Sequence, residues 1–309
     1  MKIFLVGSLA FDHAGQFNGR FSDVIKAEHV QKLSVSFFVE NEETFLGGTC
    51  GNIAYGLSLL GVKAYILTVI GEDGDQYMNS LRDAGMNTDF LKQLPGPTAN
   101  AHLLTDLDEN QIAFFSPGVI STHENVFALP EVAESGDIIL VGPENHDVMI
   151  SAISQGWENG LKVYFDPGQQ IHSFSKDEIL DILDKTDGLF VNNYEWELIT
   201  SISGLDYEAI QSKVSVIFLT KGSQGANIFE KANTVVVPAV PVEKVADPTG
   251  AGDAFRAGVI AGLSKGLSTE DSAKMGAILG AASVMNKQTQ GYSIPEGQLP
   301  FLENLGFSL

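Results

Sequence analysis

The densest chemical string in the sequence is Asp247-Pro248-Thr249-Gly250-Ala251-Gly252-Asp253-Ala254-Phe255. Gly250 and Gly252 bracket Ala251 just ahead of a long apolar stretch that reads as a helix. Small residues there let backbone N–H groups approach an anion, and a helix amino terminus adds roughly half a positive charge. Asp253 falls in the first turn beside that site. A carboxylate there can accept the proton of a hydroxyl that attacks a phosphoryl group. A bare Gly-Ala-Gly-Asp is equally a tight turn whose acid complements the helix dipole. Two other strings also carry an ordinary reading. Asn192-Asn193-Tyr194-Glu195 is an N-cap with an acid in the first turn of a helix, and Thr220-Lys221-Gly222-Ser223-Gln224-Gly225 is a hairpin turn. The sequence has no Gly-x-x-x-x-Gly-Lys-Ser/Thr string and no Gly-x-Gly-x-x-Gly after its first strand, which argues against a Walker-type site and a dinucleotide site. The histidines at 13, 29, 102, 123, 146 and 172 form no His-x-x-x-His, which argues against zinc.

These residues need elements to position them. Residues 2–6 form a short apolar run that reads as a buried parallel strand. Strands at 64–70, 137–141, 162–165, 188–191 and 216–220 alternate with helices at 50–60, 75–84, 147–159, 176–185, 251–265 and 268–286. Such alternation predicts an α/β domain with a parallel sheet covered on both faces. Two strand-rich intervals, near 12–45 and 97–118, do not fit that sheet. In the first, Val35, Phe37 and Val39 alternate with Ser34, Ser36 and Phe38, with polar turns on either side. In the second, residues 107–110 form a turn. We expect them to build a small β-lid over one edge of a single domain spanning 1–309. His13, beside Asp12, reads as an exposed loop histidine rather than a pocket residue.

Composition excludes several functions. The chain has 309 residues, with 18 Lys+Arg against 39 Asp+Glu, a formal charge of −21. A nucleic-acid binder needs a positive footprint, and no basic cluster occurs, so nucleic acid and anionic membranes are not expected partners. Hydrophobic residues make up 44% and charged residues 18%, enough for a real core. The lone Cys50 and the absence of a signal-like leader or spanning segment point to a cytoplasmic protein.

The longer string from Asp247 to Phe255, followed by Gly258, resembles the C-terminal signature of the ribokinase-like (PfkB) carbohydrate kinase family. Gly47-Gly48-Thr49-Cys50-Gly51-Asn52-Ile53-Ala54 is similar to that family's N-terminal di-glycine signature, and Ile70-Gly71-Glu72-Asp73-Gly74-Asp75 follows in the expected order. The resemblance spans essentially the whole chain. It implies a three-layer α/β/α fold with a mostly parallel central sheet and a β-lid. It also implies that Asp253 is the catalytic base, and that the backbone of Gly250, Ala251 and Gly252 is an anion hole for the transferring phosphate. Asp12, Gly48 and Asn52 would bind a sugar. Asn192 and Glu195 would match the family's Asn-x-x-Glu motif, with Glu195 near Mg2+, which keeps waters and needs few carboxylates. Glu197 is the weaker match. Thr220, Gly222 and Gly225 would form a loop near ATP, and Asn286 would lie where a helix packs on adenine. Asp247, Thr249 and residues 288–293 fall where some members bind K+ through carbonyls.

Local strings tilt the resemblance toward the prokaryotic nucleoside kinases. They are residues 7–12 with Phe17 and Phe21, the run 33–37, Thr105-Asp106 through Ile112 to Phe115 and Gly118, and Asp166-Pro167-Gly168-Gln169-Gln170. Phe11, Phe17, Phe21, Phe37, Phe38, Phe114 and Phe115 enrich the lid intervals. A purine offers a π face worth ~1–3 kcal/mol per aromatic stack, although alternating Phe also simply buries one face of a sheet. The expected reaction is ATP-dependent phosphorylation of the 5′-hydroxyl of a ribonucleoside, adenosine first. A ribokinase- or fructokinase-like sugar kinase is the alternative, and an inactive nucleoside sensor the second. A sugar-phosphate acceptor would need more than the scattered Arg20, Lys26 and Lys32. The chain could be a monomer or a homodimer through the lid. Because ATP is an anion and the chain is acidic, positive potential must be local. It would come from the helix amino terminus, Mg2+, and Lys221 or Arg256.

Overall fold

The computed structural model describes residues 1–26, 34–231 and 233–307. His29, Lys32 and Leu33, used above, lie outside them. In chain order the elements are β1 (Ile3–Val6), β2 (Ala10–Phe17), α1 (Phe21–Val24), β3 (Val39–Gly47), α2 (Thr49–Leu59), β4 (Tyr65–Ile66), β5 (Val69–Ile70), α3 (Asp75–Asp83), β6 (Lys92–Gln93), β7 (Ala99–Thr105) and β8 (Gln111–Ser116). There follow β9 (Ile138–Val141), α4 (His146–Glu158), β10 (Lys162–Phe165), α5 (Lys176–Asp184), β11 (Gly188–Asn192), α6 (Asn193–Ser203), α7 (Tyr207–Lys213), β12 (Val216–Thr220), β13 (Ala226–Glu230), β14 (Asn233–Val237), α8 (Ala251–Ser264), α9 (Thr269–Val284) and α10 (Leu299–Asn304).

The main sheet runs β14-β13-β12-β11-β10-β9-β1-β4. From β4 to β12 every pairing is parallel, while β13 and β14 close the far edge antiparallel. Strands covered on both faces need apolar residues at every position. In β1, Ile3 and Leu5 face the core under α2, α8 and α9, and Phe4 and Val6 face the core under α4 to α7. A second sheet, β3-β2-β7-β8, is the expected lid. The β7–β8 turn is pinned by buried Asp106, which accepts from the backbone N–H groups of Phe21 (2.8 Å), Asp108 (3.0 Å) and Asn110 (2.9 Å).

Three expectations change. The apolar run 64–70 is not one strand. β4 belongs to the main sheet, whereas β5 pairs with β6 in a separate two-stranded sheet. An apolar run reports burial, not which sheet buries it. Residues 34–38 are not a strand either, although their burial alternates. Phe37 packs edge-on against Phe17 and Phe21, so the period of two arises without a ladder. Finally, β13 and β14 extend the main sheet beyond the strands named from the sequence, β13 returning antiparallel from the turn at 221–225.

Helices α8 and α9 meet backbone to backbone. A Cβ at Gly258 would stand 2.5 Å from the amide nitrogen of Gly276, and one at Gly276 would stand 2.7 Å from the carbonyl oxygen of Phe255. Gly258→Ala should therefore destabilise the fold by about 1–3 kcal/mol, the usual cost of overpacking. Gly297→Ala, which meets nothing within 4 Å, is the control. Denaturant midpoints of the two variants check this. Equal midpoints would refute the close packing.

Candidate active site

The carboxyl ends of β1, β9, β10, β11 and β12 open into a cleft of ≈ 590 Å³ beneath the lid sheet, where open α/β sheets place their ligands. Its floor includes the amino end of α8. Gly250 is the N-cap, with φ 77°, and a Cβ there would meet Thr289. The amides of Gly252 and Asp253 follow in the first turn, where helix geometry supplies no acceptor. Asp253 and Gly252 line the cleft. Gly250 and Ala251, the N-cap and first residue of α8, do not line it.

Asp253 is held by a chain of hydrogen bonds. Asn52 Nδ2, on α2, donates to Asp253 Oδ2 at 2.8 Å. Gln290 Nε2 donates to Asn52 Oδ1 at 3.1 Å and contacts Tyr77 Oη at 2.7 Å. The Tyr77 hydroxyl in turn donates to the carbonyl of Gly47. Gly51 makes room for this cluster, since a Cβ there would collide with both Tyr77 and Gln290. Gln290 thus fixes the orientation of the Asn52 amide. A loop residue joined to its partners across more than two hundred positions left no local signal in the sequence.

The lid contributes one row of its register. Asp12 pairs with Ala101, and Ala101 with Phe115, so all three point to one face and line the cleft. The adjacent row points outward. His13 stacks on His102 at 4.5 Å, and His102 on Phe114 at 4.7 Å. His13 is therefore a strand residue of the outer face, not a loop histidine. Of the seven lid phenylalanines, only Phe115 lines the cleft among the described residues. Phe17, Phe21 and Phe37 form a cluster of their own, and Phe11 packs near Tyr77.

Gly48, Asn192, Glu195, Thr220 and Gly222 also line the cleft. Asn192 and Glu195 form a reciprocal capping box, with Asn192 N–H donating to Glu195 Oε2 at 2.8 Å and Glu195 N–H to Asn192 Oδ1 at 2.9 Å. Gly225 does not line it. Its φ of 84° and its approach to the Val237 carbonyl make it a turn residue leading into β13, so the ordinary hairpin reading holds for that position. Asn286 does not line the cleft either; its Nδ2 donates to the carbonyl of Ala282 at the end of α9. Asp166, Glu144 and Arg256 do line it. Of the two side chains expected to supply positive potential, Arg256 is there and Lys221 is not; Asp166 was read only within a longer string, and Glu144 not at all. The signal for Asp166 and Glu144 was their place just past the ends of β10 and β9. Among the described residues, no three His, Cys, Asp or Glu side chains are grouped to hold a metal, and no helix is long and apolar enough to cross a membrane.

The model of the pfkB family carbohydrate kinases matches residues 22–296, nearly the whole chain. The chain belongs to the pfkB carbohydrate kinase family. A nucleoside kinase of Methanocaldococcus jannaschii is 29% identical over 292 residues, covering 94% of this chain and 92% of that one. The nucleoside kinase of Burkholderia thailandensis in complex with inosine superposes with a TM-score of 0.86 at 29% identity, covering 98% of each chain. Its complex with ADP-inosine superposes at 0.83 and 30%, covering 98% of this chain and 96% of that one. This pfkB-family protein is a phosphotransferase with a hydroxyl acceptor, on the ribokinase-like α/β fold with its smaller second sheet.

In this kinase the cleft is electrostatically tense. Burial pushes the Asp253 carboxyl up to about 7, with Asp166 and Asp12 adding repulsion, while Arg256 and the Asn52 hydrogen bond pull it back. Burial and Asp247 raise Asp12 to about 6. Glu144 is 1% exposed and is raised to about 7 by burial, although Asn125 and Thr68 donate to it. Burial, then Asp166, raises Glu195. A carboxylate raised this way ionises only as pH climbs through its folded value. Because the Asn52 amide donates to the ionised form of Asp253, Asn52→Ala should move the Asp253 titration above about 7. Carbon-13 NMR of the labelled carboxyl checks it. An unmoved or lowered titration would show that Asn52 does not hold the anion.

Proposed function

We propose that the protein transfers the γ-phosphate of ATP to the 5′-hydroxyl of a ribonucleoside, adenosine first, giving the 5′-monophosphate and ADP. The observation that carries this is the position of Asp253. It stands at the amino end of α8, in one cleft with lid residues on one side and the strand-end loops of β11 and β12 on the other. Asp253 would take the acceptor proton, and a pKa near 7 suits a base that must be ionised yet still able to hold a proton. The backbone at Gly250, Ala251 and Gly252 would receive the charge of the transferring phosphoryl group. Asp12, Gly48 and Asn52 would bind the ribose, and Phe115 the base. Asn192, Thr220 and Gly222 would lie along the nucleotide. Residues 1–309 would act as one catalytic domain, and closure of the lid would exclude water as a competing acceptor.

The donor set suits Mg2+. Glu195 faces the cleft with one oxygen taken by the Asn192 N–H and no protein donor to the other among the described residues. One carboxylate acting through water, together with substrate phosphates, is enough for this ion. When bound, Mg2+ neutralises phosphate oxygens. The loop around Thr289 abuts Gly250, which supports the K+ reading for Asp247, Thr249 and residues 288–293. Dependence of turnover on K+ over Na+ tests it. Inosine is the second reading for the acceptor, because it is bound in the Burkholderia relative and the amides of Gln169 and Gln170 in the cleft can donate or accept.

ADP production with adenosine, inosine, cytidine, ribose, fructose and fructose 6-phosphate separates the readings. Turnover on a sugar alone would overturn the nucleoside assignment. Asp253→Asn should lower kcat by about 10²–10⁴-fold, the usual contribution of a general base, with nucleoside binding retained. In the parent enzyme, kcat/KM should rise with pH through about 7, because the base works only when deprotonated. Near-normal turnover in Asp253→Asn would refute the base. Phe115→Ala should weaken purine nucleosides by ~1–3 kcal/mol of stacking and leave ribose unaffected. Equal losses for both would point to a structural effect.

A further inference from the structure

Arg256 is the one Lys or Arg side chain lining the cleft among the described residues, against five carboxylates there. It is 7% exposed and sits on α8, one turn past Asp253. Its Nη2 donates to Asp166 Oδ1 at 2.6 Å, and its Nε lies against Asp166 Oδ2. Asp166 itself is anchored at the end of β10, where it accepts the backbone N–H of Gly168. Nη2 is thus hydrogen-bonded to this carboxylate and Nε is in ion-pair contact with it without a hydrogen-bond partner, so one carboxylate holds the guanidinium along that edge.

The third nitrogen is aimed elsewhere. A Cβ built at Gly252 would lie 2.6 Å from Arg256 Nη1, so Nη1 rests directly over the first turn of α8. No acceptor for Nη1 is found among the described residues. A cation is disfavoured at a helix amino terminus, where the backbone already presents positive charge. An ion pair needed only to neutralise Asp166 would gain nothing from that location. The placement is favourable when an anion occupies the same spot, because backbone amides and guanidinium then converge on it.

We propose that Arg256 is a catalytic residue whose Nη1 contacts the transferring phosphoryl group, with Asp166 as the positioning residue that aims it. This rests on phosphoryl transfer at Asp253. In that step the bond from the γ-phosphorus to the bridging oxygen of ADP breaks and the bond to the acceptor oxygen forms. The acceptor proton passes to Asp253. Arg256 makes and breaks no covalent bond; it balances charge on the phosphoryl oxygens as they move. A side chain at Gly252 would crowd Nη1.

The test uses the full-length protein with ATP, Mg2+ and the best acceptor of the nucleoside panel. Arg256→Gln should lower kcat by about 10³-fold, the lower range for a guanidinium acting on a phosphoryl group. Acceptor affinity, measured by calorimetry without ATP, should stay within about threefold. Arg256→Ala should regain activity with added guanidinium chloride at millimolar concentration, which a residue serving only to hold the fold would not show. Since Arg256→Ala leaves Asp166 buried without its partner, the double variant Asp166→Asn/Arg256→Gln provides a second measurement and should show the same loss in kcat. A kcat within about threefold of the parent in Arg256→Gln or in the double variant would overturn the proposal. So would a loss in kcat matched by an equal loss of acceptor affinity without guanidinium rescue. If the parent protein phosphorylates no acceptor at all, the kinase reading of the cleft falls first, and this proposal with it.

Discussion

A carboxylate partly screened from water yet able to ionise is the constraint on which this structure turns. Asp253 is half-buried at the amino end of α8, where burial already disfavours its charge and an unpaired anion would be costly. The fold answers with an ordered chain of donors. Asn52 donates to Asp253, Gln290 fixes Asn52, and Tyr77 and Gly47 complete the run. Those residues come from α2, α3, the end of β3 and the loop after α9. Glycine at position 51 follows from the same requirement, since the Tyr77 hydroxyl occupies the volume of a side chain there. Glycine at position 47 makes the equivalent room for Asp12.

The acidity of the chain takes on a different meaning beside this cleft. A net charge of −21 argued against polyanionic partners, and five carboxylates line the cleft itself. The positive potential available to a phosphate is therefore concentrated rather than spread. It resides in the backbone at the start of α8 and in the single guanidinium of Arg256. Concentration in a low-dielectric pocket makes each source count for more than the same charge on the surface.

Much of this was legible in the sequence because motif residues cluster at strand–helix junctions. The Gly250–Asp253 turn, the capping box at Asn192 and Glu195, and the order of strands and helices all leave local signatures. The two lid intervals were visible because their turns and alternation break the α/β rhythm. What was not legible depends on distant pairing. Arg256 and Asp166 meet across ninety positions, and Gln290 reaches Asn52 across most of the chain. The run 64–70 could not show that its halves join different sheets, and Ser34–Phe38 could not show that a period of two arises from packing alone. Gly225 and Asn286 matched motifs but stand outside the cleft, because family spacing does not by itself separate a turn residue from a contact residue.

The lid register carries a consequence for how acceptor choice can change. Phe115 faces the cleft and Phe114 faces away only because β7 and β8 pair in one register, set by the turn that Asp106 pins. A strand shifted by one residue exchanges its two faces. A single-residue insertion or deletion in that turn that shifts β8 by one position would bring Phe114 into the cleft and send Phe115 outward, with β2 and β7 unmoved. The floor around Asp253 would be unaltered. Turn length is thus a heritable switch for the pocket roof, independent of substitution at any residue that touches the substrate.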